Sequence, residues 1–218
     1  MAQIQTVLWD WNGTLLDDRD VSLACLNGLL EEFGYPQRYD LATYQEIFGF
    51  PIEEYYLRAG FDFTRHPYPM LAQRYMQRYI PGAGGCGPMA GAAETLAALR
   101  RQGLRQVILS VSRRDTLIEQ VTARGLASYF DELLGLADIY GKSKVQIGRD
   151  WMERAGADPA AAVMIGDTLH DAEVAAALGV RCILFTGGHQ SRARLQTALC
   201  PLADRLAQIP ALLAALPR

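Results

Sequence analysis

Four side chains stand where chemistry is done: Asp10, Ser110, Asp167 and Asp171. Asp10 ends the short apolar run Val7-Leu8-Trp9 and is followed by Asn12-Gly13-Thr14, the pattern of a buried strand that delivers a carboxylate to its tip and then turns. Ser110 closes Gln106-Val107-Ile108-Leu109 in the same way, and Asp167 follows the run Ala161 to Ile165 and Gly166, with Asp171 one helical turn later. Ligands of open parallel sheets bind just outside such carboxyl ends. Two carboxylates and a hydroxyl gathered there suit a phosphoryl group and a divalent cation. Magnesium takes one or two carboxylates plus phosphate oxygens and water, and a carboxylate is itself able to attack phosphorus. The chain has two lysines, Lys142 and Lys144, both in one Gly-Lys-Ser-Lys stretch between Ser110 and Asp167; every other side-chain cation is arginine or histidine. A wide guanidinium fork replaces a compact ammonium poorly at a tight site, so these two lysines join the candidates.

The elements that must position these groups follow from periodicity and punctuation. Helices are expected at about Val21–Phe33, Leu41–Phe48, Ile52–Ala59 and Tyr68–Tyr79, a tyrosine-rich stretch closed by the glycine- and proline-rich segment Pro81 to Pro88. Beyond it helix and strand alternate: helix Met89–Gln102, strand Arg105–Ser110, helix Thr116–Arg124, strand Leu133–Leu136, helix Ser143–Ala155, strand Ala161–Ile165, helix Asp171–Leu178 and strand Arg181–Phe185. The tail, Gln190–Leu199 and Leu202–Leu216, reads as helix broken at Pro210. Such alternation predicts an α/β fold, a doubly wound parallel sheet with a Rossmann-like core. Residues 1–16 and 81–218 are expected to form that core, and residues 17–80 an inserted α-helical cap.

The chain is 218 residues long, half of them hydrophobic, with a formal net charge of −3. That charge offers no attraction to nucleic acid or an anionic membrane. No apolar run approaches the ~20 residues that span a bilayer, and Met1 to Thr6 lack the features of a signal peptide. Cys25, Cys86, Cys182 and Cys200 show neither metal-ligand spacing nor a disulfide framework, which fits a reducing cytoplasm. The expected partner is a small phosphorylated metabolite, bound by a monomer or weak homodimer.

The ordered set resembles the haloacid-dehalogenase-like superfamily of phosphohydrolases, and closely its phosphoglycolate-phosphatase-like branch. The resemblance rests on Asp10-Trp11-Asn12-Gly13-Thr14, on Ser110 in Val-Ile-Leu-Ser-Val-Ser, and on Gly166-Asp167 followed by Asp171. It implies that Asp10 is nucleophile and metal ligand, and that the Asn12 carbonyl and Asp167 complete the protein's ligands to Mg2+. Asp171 would orient a lysine or a metal-bound water, or serve as a further ligand. Ser110, a lysine and the backbone around Trp11 and Val111 would hold the phosphoryl oxygens. The family's lysine spacing, counted back from Asp167, lands on Lys142, whereas Ser143 as helix N-cap puts Lys144 at the helix start; Lys144 is preferred and both stay candidates. His170 is expected beside the metal site rather than in it. His189 could line the pocket, and Arg58, Arg65 and His66 could read substrate from the cap, although structural roles explain these four equally well.

Asn12 is the departure, for the resemblance implies an acid–base Asp there. An amide donates no proton to a leaving alkoxide, and general acid–base catalysis typically contributes ~100- to ~10,000-fold. Reduced turnover, a bias towards good leaving groups, or a non-catalytic phospholigand binder are the readings that follow. The insertion contains no lysine, which argues against the Schiff-base chemistry of phosphonoacetaldehyde hydrolases, and Asp167 and Asp171 argue against metal-free dehalogenation. Asn12→Asp is nearly isosteric and is expected to fit without repacking and to speed alkyl phosphates more than aryl ones.

Overall fold

The computed structural model describes residues 3–136 and 143–216. Six parallel strands form one sheet: β1 Thr6–Trp9, β2 Arg105–Arg113, β3 Glu132–Leu136, β4 Ala162–Gly166, β5 Arg181–Phe185 and β6 Leu202–Ala203. Their spatial order is β3-β2-β1-β4-β5-β6, so the chain reverses its winding between β1 and β4. Strand alternation sends successive residues to opposite faces, both of them apolar. Val7, Trp9, Ile108, Val163, Ile165 and Ile183 join one apolar cluster, and Leu8, Val107, Leu109, Met164 and Leu184 join the other. Helices cover both faces, as buried parallel strands require.

Helices α1 Arg19–Glu32, α2 Leu41–Ile47, α3 Ile52–Arg58 and α4 Tyr68–Gly84 lie between β1 and β2 in sequence and carry a hydrophobic cluster of their own, built from Leu26, Leu29, Leu30, Tyr44, Tyr55, Tyr56, Phe61 and Leu71. This helical layer is rich in tyrosine, whereas the three tryptophans, Trp9, Trp11 and Trp151, are buried around the sheet. The remaining helices are α5 Ala92–Arg101, α6 Arg114–Ala123, α7 Lys144–Ala155, α8 Leu169–Leu178, α9 Arg192–Leu195 and α10 Ile209–Ala215.

Four elements differ from the sequence expectation. The helix expected to stop near Tyr79 runs through Pro81 to Gly84. Proline holds a helical φ, and Arg124 of the sheet domain donates to the carbonyls of Ala83 (2.6 Å) and Gly84 (3.4 Å), satisfying the last turn. Strand β2 extends to Arg113, three residues past Ser110, with a register shift against β3 between Leu109 and Arg113. The expected helix Leu202–Leu216 begins instead as β6, which pairs with the open edge of β5 through Leu184↔Leu202 and Phe185↔Ala203. Pro210 lies in the first turn of α10, where its missing N–H goes unneeded. Likewise only Arg192–Leu195 of the expected helix Gln190–Leu199 is α-helical.

Leu29 of α1 is fully buried within the helical layer. Leu29→Ala is expected to cost about 2–5 kcal/mol, read as a lower urea midpoint by far-UV circular dichroism; a loss below ~1 kcal/mol would show that this cluster collapses around the gap without cost.

Candidate active site

Strands β1 and β4 flank the point where the winding reverses, and this places their tips together. Trp9 pairs with Ile165, and the Asp10 N–H donates to the Ile165 carbonyl at 2.8 Å, so Asp10 and Asp167 leave adjacent strands at one level. Lys144, first residue of α7, is buried and reaches both acids of the constellation that can pair with it: Nζ donates to Asp10 Oδ1 at 2.5 Å and to Asp171 Oδ1 at 2.7 Å. Ser143 caps α7 by accepting from the Gln146 N–H, which fixes Lys144 at the helix start. Lys142 lies outside the described residues.

Local geometry locks each acid. Asp167 is inaccessible to solvent; Thr14 Oγ1 donates to its Oδ1 at 2.8 Å and the His189 N–H to its Oδ2 at 2.6 Å. Asp171 accepts on Oδ2 from the Asp167 N–H (3.2 Å), the Thr168 N–H (3.0 Å) and Thr168 Oγ1 (2.8 Å), forming a capping box at the start of α8. Asp171 holds Lys144 on its other oxygen, and an oxygen of it also belongs to the acid cluster. Two glycines allow this crowding. A Cβ at Gly166 would sit 2.1 Å from Asp171 Cγ, and one at Gly188 would sit 2.2 Å from Asp167 Oδ2. Among the described residues Asp10, Asp167 and Asp171 form the one group of potential metal ligands, each offering an oxygen within 4.8 Å of the others.

The charges do not balance. Burial raises the pKa of Asp10; Lys144 opposes this, Asp171 and Asp167 add to it, and the result is about 8. Asp167 is raised by burial to about 6 against the pull of His189. Burial also works against the Asp171 carboxylate, but Lys144 and the Thr168 donors hold it below the usual range. Lys144 is disfavoured by burial yet kept charged by Asp10 and Asp171, its pKa raised. Fully ionised, four buried acids among the described residues (Asp10, Asp18, Asp167, Asp171) face two buried cations, Lys144 and His189, and the raised pKa values of Asp10 and Asp167 answer that excess of negative charge. The deficit of two positive charges is one that a divalent cation would supply, and an all-oxygen donor set of this kind suits Mg2+.

Asp18 is a member of the site that the sequence pattern does not single out. It occupies the N-cap position of α1 but makes no capping bond with its side chain. Its carboxylate accepts instead from the Gly13 N–H (2.8 Å) and His189 Nε2 (3.2 Å) on Oδ1, and from Asn12 Nδ2 (3.1 Å) and Tyr79 Oη (2.5 Å) on Oδ2. Burial would raise its pKa, but His189, Tyr79 and Asn12 hold it low. His189 is opposed by burial and supported by Asp18, which keeps the imidazolium to about pH 9. Its Nδ1 faces Tyr44 Oη at 2.9 Å. Tyr44 and Tyr79 belong to the helical layer, so the layer closes on the strand tips through this network. The available signal was the Asp17-Asp18 pair just before a helix, where one acid suffices for a cap.

The other candidates have contacts of their own. The Trp11 side chain is turned into the core, its Nε1 donating to Gln120 Oε1 at 2.8 Å, so its contribution to an anion is limited to its backbone. Ser110 is buried and accepts from the Ser112 N–H at 3.0 Å; Val111 beside it is exposed. His170 stacks on Phe50 with centroids 4.6 Å apart and lies outside the acid cluster. Arg58 donates to the Ile47 carbonyl at the end of α2. Arg65, itself exposed, lies over Tyr35, and His66 Nδ1 meets Tyr35 Oη at 2.9 Å, so both make a contact within the helical layer.

A parallel α/β sheet with acids at two adjacent strand tips, a lysine bonded to Asp10 and Asp171 and a helical segment between the first two strands defines a Rossmann-like hydrolase. The chain belongs to the haloacid dehalogenase-like hydrolase family, whose sequence model matches residues 7–185. It is 29% identical over 211 residues to a phosphoglycolate phosphatase of Synechococcus elongatus, covering 95% of this chain and 94% of the relative. It is 25% identical over 173 residues to the pyrophosphatase PpaX of Halalkalibacterium halodurans, covering 78% and 77%. Its fold matches a haloacid dehalogenase-like hydrolase from Streptococcus pneumoniae with a TM-score of 0.83 at 19% identity, covering 97% of this chain and 99% of that one. No helix among the described residues is long and apolar enough to cross a membrane.

Gly188→Ala is expected to push Asp167 off Thr14 and the His189 N–H, lowering stability by about 2 kcal/mol, or roughly 4–8 °C in melting temperature. An unchanged thermal transition would mean that the Gly187–His189 loop retreats freely from Asp167.

Proposed function

We propose that the chain is a magnesium-dependent phosphatase that acts on a small phosphorylated metabolite, a phosphoglycolate-like phosphate monoester, through an aspartyl-phosphate on Asp10. The observation that carries this reading is the Lys144 ammonium held between Asp10 and Asp171 beside Asp167, in a buried cluster that is two positive charges short of neutrality when its three acids are ionised. The names of the two relatives, a phosphoglycolate phosphatase and a pyrophosphatase, support the same class of reaction. Residues 1–16 and 81–218 act as the catalytic core and residues 17–80 as a cap over it, in a cytoplasmic monomer or weak homodimer.

In this reading Asp10 supplies the attacking oxygen. Lys144 and the Ser110 hydroxyl, with backbone N–H groups around Trp11 and Val111, take up charge on the phosphoryl oxygens. Asp171 aims the lysine, and Thr14 and the His189 N–H fix Asp167. Asp10, Asp167 and the Asn12 carbonyl would hold Mg2+, which when bound neutralises phosphoryl charge and offsets the repulsion between the two acids. The helical layer shields the site from water through Tyr44 and Tyr79. A second reading, a non-catalytic phospholigand binder on the same fold, is favoured by one observation: Asn12 is an amide with its side chain held by other residues.

A panel of phosphorylated metabolites, assayed with and without magnesium, separates the two. Magnesium-dependent release of phosphate is expected, and Asp10→Asn should abolish it while leaving the circular dichroism spectrum intact. Asp167→Asn should raise the magnesium concentration needed for half-maximal rate at least ~10-fold. Wild-type turnover by Asp10→Asn would overturn the nucleophile assignment; magnesium-dependent phosphate binding without turnover of any substrate would establish the binder.

A further inference from the structure

Every hydrogen and acceptor on the Asn12 side chain is committed. Nδ2 donates to Asp18 Oδ2 at 3.1 Å and to Tyr79 Oη at 2.6 Å, and Oδ1 accepts from Ser112 Oγ at 2.8 Å. Tyr79 spends its own hydrogen on Asp18, and the two imidazole nitrogens of His189 face Asp18 and Tyr44. Asp18, 1% exposed, faces donors on both oxygens. The closed set contains one carboxylate and one amide, each fixing the chemistry of the other. A carboxylate at position 12 would bring an anionic oxygen to about the 3.1 Å that now separates Nδ2 from Asp18 Oδ2, and would take away the proton that Tyr79 accepts. The isosteric fit expected of Asn12→Asp is therefore spatial and not electrostatic.

We infer that Asn12 and Asp18 form one coupled unit, and that Asp18, by requiring an amide at position 12 and holding both of its hydrogens, restricts efficient turnover to phosphates whose leaving group departs as a stabilised anion: aryl and acyl phosphates and phosphoanhydrides ahead of alkyl esters. This rests on the phosphatase reading but shifts its substrate: phosphoglycolate is an alkyl ester, so it would turn over slowly beside aryl and acyl phosphates and phosphoanhydrides. In the first step an Asp10 oxygen bonds to phosphorus, the bond to the leaving oxygen breaks, and its electron pair leaves with that oxygen. An alkoxide needs a proton at that moment; a phenolate, carboxylate or phosphate does not. Water then attacks the same phosphorus, the bond to Asp10 breaks, and both water protons stay on the released dihydrogen phosphate.

The exchange Asn12→Asp with Asp18→Asn keeps every partner. The amide now at position 18 would accept from the Gly13 N–H and His189 while donating to the new carboxylate at position 12 and to Tyr79. The Tyr79 hydroxyl would in turn donate to that carboxylate. The charge of the set is unchanged, but a carboxyl group now stands two residues beyond the nucleophile. Asp18 is thus a positioning residue, tested in the full chain with four proteins: wild type, both single variants and the double variant.

Two measurements decide it. In urea unfolding, Asp18→Asn should lower the midpoint in the wild-type background and raise it in the Asn12→Asp background; the same sign in both would overturn the coupling. With magnesium, the ratio of kcat/KM for glycerol 2-phosphate to that for p-nitrophenyl phosphate should rise at least ~10-fold in the double variant over wild type, a change that a purely structural role would not produce. An unchanged ratio would overturn the leaving-group restriction while leaving the phosphatase reading standing. If wild type turns over neither compound nor acetyl phosphate or pyrophosphate, the phosphatase reading and the restriction fail together, and the unfolding cycle alone decides whether the two residues are coupled.

Discussion

A single buried ammonium organises the site. Lys144 has no solvent to fall back on, and removing one partner from a buried ion pair typically costs ~3–5 kcal/mol. Its two acids must therefore arrive from opposite directions and stop within hydrogen-bond distance: Asp10 from the tip of β1, Asp171 from the first turn of α8. That requirement propagates outward. Asp171 is rigid because Thr168 caps α8 through it, and it comes close to β4 because residue 166 has no side chain. Asp10 stands at its level because β1 and β4 pair in register. The sheet order follows the same logic, since only where the winding reverses do two adjacent strand tips leave a crevice for a ligand.

A second carboxylate, Asp18, does for the helical layer what Asp171 does for the lysine. It lies where the chain leaves the sheet, and it ties the loop after β1 to Tyr79 near the end of α4 and to His189 after β5. The two crossings between sheet and helical layer are thus joined at one buried anion. Around it, Gln45 Nε2 donates to the Gly188 carbonyl, and Gln190 Nε2 donates to the Phe48 carbonyl, so the end of α2 rests on the loop that also positions Asp167. The Asp167 contact and the seat of the helical layer share a few backbone atoms. Movement of one is felt by the other.

The fold was legible because its determinants are local and periodic. Strand β5 begins and ends where its apolar run does, and Ser143 and Gly156 bracket α7. The acid cluster and Lys144 were legible because strand tips carry ligands and because lysine is rare in this chain. What stayed hidden depends on distant partners. The end of α4 is set by Arg124, forty residues beyond Gly84, and β6 exists because β5 offers an unpaired edge. Asp18 reads locally as a helix cap with Asp17 to spare beside it, but its partners Tyr79 and His189 stand 61 and 171 residues away in sequence. His66 and Arg65 both touch Tyr35, a contact that their spacing in sequence does not announce.

The partition of aromatic residues has an optical consequence. Indole absorbs further to the red than phenol, so light at the long-wavelength edge of protein absorption excites Trp9, Trp11 and Trp151 alone and reports on the sheet. Light at shorter wavelength also excites the phenols, eight of the ten tyrosines lying between residues 35 and 79. Their excitation energy passes to the indoles with a steep dependence on separation. The unaltered chain therefore carries its own donor and acceptor populations on the two layers, and the excitation spectrum of its indole emission becomes a ruler for the distance between them.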